Sequence, residues 1–96
     1  MASQTARVPT ANASKYIQQL CKHWSHKLEV EFDADHGTVK FAEAVAEMKA
    51  GPDALEVTLT ADDEATVDRF KAVVANHLDR FAFREAPLEF DWRPVG

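Results

Sequence analysis

One cysteine, three glycines and no surplus of positive charge leave this chain of 96 residues without the raw material of several large function classes. The lone Cys21 has no partner for an internal disulfide, and no Cys-x-x-Cys pair supplies a zinc-finger half-site. A reducing, cytoplasmic compartment is the simplest expectation. Sixteen acidic against eleven basic residues give a net charge of -5. A nucleic-acid partner needs a basic footprint to displace counterions, so none is expected. Gly37, Gly51 and Gly96 are isolated, which excludes a glycine-rich phosphate loop and a nucleophile elbow. No apolar run approaches the roughly 20 residues that span a bilayer, and Met1 to Thr5 lack a basic-then-apolar leader pattern. No membrane partner is expected.

What remains is the composition of an ordinary globular domain, 46% hydrophobic and 28% charged. Six phenylalanines, two tryptophans and one tyrosine supply bulk for one core. The length suits a single domain over residues 1–96. Residues 4 to 9 read as a short first strand closed by Pro9. Thr10 or Asn12 is positioned to cap a following helix, in which Ala13, Tyr16, Ile17, Leu20, Cys21 and Trp24 share one face. Cys21 and Trp24 therefore point inward. Leu28, Val30 and Phe32 then alternate with Glu29, Glu31 and Asp33, the signature of a strand buried on one side.

Asp35-His36-Gly37 reads as a turn, followed by Val39 and Phe41 on the second arm of a hairpin. Residues 42 to 50 are rich in helix formers yet short and flanked by strands, and a strand is the expected state. Gly51-Pro52-Asp53 turns the chain into a strand carrying Leu55, Val57 and Leu59 inward. A second helix follows, capped by Asp62 or Thr60, with Val67, Phe70, Val74, Leu78 and Phe81 as its inward stripe and an end between Phe81 and Phe83. A last strand carries Leu88, Phe90 and Trp92 inward. The order β-α-β-β-β-β-α-β predicts an α+β two-layer sandwich, a mainly antiparallel sheet of about six strands with both helices on one face. Glu29, Glu31, Asp33, Glu56, Glu89 and Asp91 would make the other face acidic, relieved mainly by Lys40 and Lys49. Solubility and suppression of edge pairing account for such a face; docking of a basic partner is the functional alternative.

Chemistry concentrates in Leu20-Cys21-Lys22-His23-Trp24-Ser25-His26-Lys27, which holds the cysteine, two of the four histidines and one tryptophan. On a helix His23 and His26 project about 60° apart and Cys21 about 160° from His23, so one ion cannot take all three. Cys21, His23, His26 and His77 are therefore weak metal candidates. His77 falls inside the apolar stripe of the second helix, where a histidine is normally satisfied by the backbone or by a neighbour such as Tyr16. If the helices lie side by side, His23, His77 and Cys21 could converge. Lys22, Lys27, Arg80 and Arg84 cluster near the helix carboxyl ends, where they suit the dipoles or form a cationic pocket for an anion. Cys21 on a buried face behaves as a small hydrophobe rather than a nucleophile. No catalytic residue is assigned.

The run from Leu20 to Lys27, followed by Val30, Phe32 and Gly37, resembles DUF2218, a bacterial domain family of unknown function. The run His77-Leu78-Asp79-Arg80-Phe81-Ala82-Phe83-Arg84-Glu85, with Trp92 near the end, is similar to its second block. The resemblance covers nearly the whole chain. It implies a small stand-alone bacterial domain, a strand over 42–50 from which the alanine-rich run departs, and relatives associated with siderophore-interacting proteins. The leading expectation is thus a non-catalytic binding or accessory domain linked to iron or siderophore handling, with His23, Trp24, His26, His77, Arg80 and Arg84 as ligand contacts. It would need no cofactor of its own and would act as a monomer or weak homodimer, on a small anionic ligand or an iron-handling protein. The alternatives are a thiol- or metal-dependent enzyme centred on Cys21, His23 and His77, and a protein-interaction domain using the acidic sheet face.

Overall fold

The computed structural model describes residues 1–82, 84–85 and 88–95. Strand β1 (Ala2–Pro9) leads into helix α1 (Ala13–Trp24), then strands β2 (Glu29–Phe32), β3 (His36–Lys40), β4 (Ala44–Ala50) and β5 (Ala54–Ala61). Helix α2 (Glu64–Phe81) and strand β6 (Asp91–Pro94) complete the order β-α-β-β-β-β-α-β. The six strands form one antiparallel sheet in the order β2-β3-β4-β5-β1-β6. The α+β sandwich expected from the sequence is the observed architecture. Its first strand lies in the interior of the sheet, and β2 and β6 form the edges.

Both helices cover the same sheet face. Helix α1 lies on β2, β3 and β4, while α2 lies on β5 and β1. Val8, Val39, Ala46, Met48, Leu55, Val57 and Leu59 rise from the sheet to meet Ile17, Leu20, Cys21 and Trp24 of α1 and Val67, Val74 and Leu78 of α2. The segment with mixed signals, 42–50, is strand from Ala44, with Ala44, Ala46 and Met48 buried in alternation. The helix-forming residues yield here because both neighbours, β3 and β5, offer ladder partners.

Local details differ from the sequence reading in instructive ways. The turn between β2 and β3 is built by Asp33, whose carboxylate accepts from the backbone N–H groups of Asp35 and His36, both at 2.8 Å. Gly37 is not a turn residue; it belongs to β3 and is buried. A Cβ there would come within 2.7 Å of Cys21 Sγ and 2.9 Å of Ile17 Cγ2. The glycine therefore lets α1 settle onto the sheet. The cap of α2 is Asp63, accepting from Thr66 N at 2.7 Å, rather than Asp62 or Thr60. Asn12 occupies the N-cap of α1 but its side chain makes no capping bond; Thr10 Oγ1 instead accepts from Asn12 N at 3.1 Å. Phe81 is the last residue of α2, and the expected alternative end at Phe83 lies outside the described residues. The final strand is short, leaving Leu88 and Phe90 just before it, with Phe90 stacked on Trp92 at 5.9 Å.

The open face carries mixed charge. The register aligns His36, Lys49, Glu56, Arg7 and Asp91 in one cross-strand row, and Glu29 beside Lys40 in another. The acidic residues are exposed as expected, and Arg7 and Arg93 alternate with them in addition to Lys40 and Lys49. Opposite charges facing across strands stabilise the pairing. The face is thus a checkerboard rather than a continuous negative surface.

Candidate functional site

Trp24 ends α1 with its indole in the core, only 6% exposed. Its ring lies 5.0 Å from His77 of α2 and 5.0 Å, edge-on, from Phe41 at the end of the β3 arm. Phe41 in turn lies 4.7 Å from Phe70, and the Arg69 guanidinium sits 5.3 Å from the Phe70 ring. On the solvent side, His23 is exposed and its ring is 5.6 Å from His77 and 5.7 Å from Phe81. The aromatic row runs across the seam between the helices. Phe70 and Phe81 are only half-buried because they flank this seam instead of pointing at the sheet.

His77 Nδ1 lies 2.7 Å from the carbonyl oxygen of Val73. A carbonyl only accepts, so Nδ1 carries a proton, and in the neutral form of the ring the lone pair lies on Nε2. Of the two satisfactions expected for this histidine, the backbone is the one realised. Tyr16 belongs to another cluster. Its hydroxyl donates to the carboxylate of Glu85, which also accepts from Thr10 Oγ1 at 3.0 Å and Asn12 Nδ2 at 3.3 Å. Those donors hold the Glu85 carboxyl below its usual pKa, the Tyr16 hydroxyl contributing most. Burial, followed by the nearby carboxylate, raises that of Tyr16. This latch ties the start of α1 to the segment after α2. Sequence reasoning missed it, although a tyrosine on an apolar helix face was a signal that a hydroxyl partner had to exist.

The remaining candidates divide cleanly. Cys21 is fully buried between α1 and the sheet, its Sγ apposed to Gly37, and burial pushes its thiol up to about 11. It does not join the imidazoles, because His23 sits on the opposite side of the helix. His26 is exposed in the turn after α1 and forms no hydrogen bond, ion pair or ring contact among the described residues. Arg80 and Arg84 are exposed, at and just beyond the last turn of α2. No group of three or more metal-binding side chains gathers among the described residues. Among the described residues no helix is long and apolar enough to cross a membrane. One surface depression, of about 220 Å³, lies away from this cluster beside Pro9, Glu85, Leu88 and Glu89.

Chemically, the seam offers one lone pair on His77, an exposed imidazole on His23 and an indole backing, but no activated nucleophile. No curated protein matches the chain. The NMR structure of PA4090 from Pseudomonas aeruginosa is 38% identical, matching 98% of this chain and 97% of that one with a TM-score of 0.83. A family described as an uncharacterised protein conserved in bacteria (DUF2218) matches residues 5–93. The chain belongs to that family.

Proposed function

We propose that this protein is a non-catalytic binding domain whose imidazole–indole seam contacts an anionic ligand or partner in iron handling. The observation that carries the reading is the meeting of the exposed His23 and the half-buried His77 from two helices, with the buried Trp24 indole behind them. Arg80 and Lys22, in the last helical turns, and Arg84 just past α2 add positive charge at that end. Cations there interact well with the helix dipoles and attract an anion. The iron context comes from the sequence resemblance described above. A thiol mechanism is disfavoured because the Cys21 thiol is enclosed and stays protonated up to about 11.

Titration of the labelled full chain with a tris-catecholate siderophore loaded with diamagnetic gallium(III), an anionic chelate, tests the reading. Backbone shifts are expected at His23, Trp24, His77, Arg80 and Arg84, unchanged in a Cys21→Ser variant. Saturating chelate without shifts at those residues, or shifts confined to β2 through β5, overturns it.

A further inference from the structure

We propose that His23 and His77 form a two-imidazole site for one borderline divalent ion of the Zn(II) or Ni(II) class, its remaining positions filled by water or an outside chelate. The inference uses the same seam as the function proposed above but needs no iron chelate, so the ion alone tests it.

Distance is the first support. Metal–nitrogen bonds near 2.0–2.1 Å put each ring centroid roughly 3.2 Å from the ion, and two rings at tetrahedral to trigonal angles then lie roughly 5.2–5.5 Å apart. The His23 and His77 centroids are 5.6 Å apart, with the rings tilted by 46°. Sharing an ion then requires a His23 rotamer that turns a ring nitrogen toward His77 Nε2. The second support is the tautomer. The Val73 carbonyl fixes the proton of His77 on Nδ1, the outer hydrogen bond that metal-binding histidines use to orient the ring and free Nε2. His77 is thus set as a ligand before any ion arrives. His23 is exposed, and its imidazole forms no hydrogen bond among the described residues, so no partner holds either ring nitrogen.

The surroundings act on a cation in both directions. His23 is the penultimate residue of α1 and His77 lies one turn from the end of α2, near the negative ends of both dipoles. Trp24 and Phe81 pack against the imidazoles and wall the site on its inner side. Lys22 and Arg80 oppose a positive ion. With only two protein ligands the site is open, suited to exchange and to ternary contact with a chelating anion rather than to holding the fold together.

The test is titration of the untagged full chain with Zn(II), and separately Ni(II), followed through the imidazole nitrogens and by calorimetry. Saturable binding is expected to shift His77 Nε2 while Nδ1 stays protonated. His23→Ala and His77→Gln should each lower the association constant at least tenfold, and His26→Ala should leave it unchanged. Dispersed backbone spectra of the ion-free variants separate lost ligation from lost fold, and His23, being exposed, is the safer substitution. No saturable binding at millimolar ion overturns the proposal, as does binding indifferent to His23 or centred on His26 or His36. Ion binding without chelate binding would remove the function proposed above and leave this site standing.

Discussion

Gly37 and Cys21 illustrate how single positions set the distance between the layers. Adding a methyl group at Gly37 drives a Cβ into Cys21 Sγ and Ile17 Cγ2, and Gly37→Ala is expected to cost roughly 1–3 kcal/mol in denaturant unfolding. Cys21→Ala in the same chain should recover part of that loss, because it removes one of the two clashing atoms; a purely additive pair would contradict the contact. The thiol also makes stability depend on pH. Its pKa is raised from 9.0 to about 11, so its contribution is complete below 9.0 and disappears as pH rises through about 11. The inward placement of Cys21 and Trp24 was legible because 3.6-residue periodicity names a face directly. Gly37 was misread as a turn because glycine signals both a tight turn and a close approach, and sequence cannot say which backbone comes near.

At the scale of elements, two sets of contacts add to the packing of the helices on the sheet. One is the aromatic seam, and the other is the latch from Tyr16, Thr10 and Asn12 to Glu85. Tyr16→Phe should lower stability by about 1 kcal/mol, the worth of one hydrogen bond whose acceptor keeps other donors. Because the Glu85 carboxyl is lowered from 4.5, the latch contributes fully above that pH and weakens as acid passes its folded pKa. Urea midpoints measured in that acid range should lose this component in Glu85→Gln; an unchanged pH profile would rule the latch out. Nothing in local pattern pointed to Glu85, which lies 69 residues from Tyr16. Strand 44–50 was readable against its helical composition only because its neighbours fixed the context. Asn12 holds the expected cap position of α1 without a side-chain bond, while the α2 cap falls one residue past Asp62, since adjacent aspartates can each accept the same amides.

Across the whole molecule, alternation in the sequence revealed which face of each strand is buried but not which strand lies beside which. Hydrophobic pattern is the same for an edge and a centre when one face is open. That β1 sits between β5 and β6 comes from pairing alone, and with it the open face becomes a row of alternating charge through Arg7. The same topology sends α1 over β2, β3 and β4 and α2 over β5 and β1, and so brings the ends of two distant helices to a common seam. The convergence of His23 and His77 followed from two amphipathic stripes resting side by side, whereas Cys21 was excluded once its stripe position faced the sheet.

Carbon-edited proton cross-relaxation among the side chains of the labelled chain tests this arrangement most directly. Cross-peaks are expected from the His77 imidazole to both the His23 ring and the Trp24 indole, with the Cys21 methylene instead close to Gly37. A His77 ring that relaxes against neither His23 nor Trp24 in a folded sample would contradict the shared seam on which both functional proposals rest.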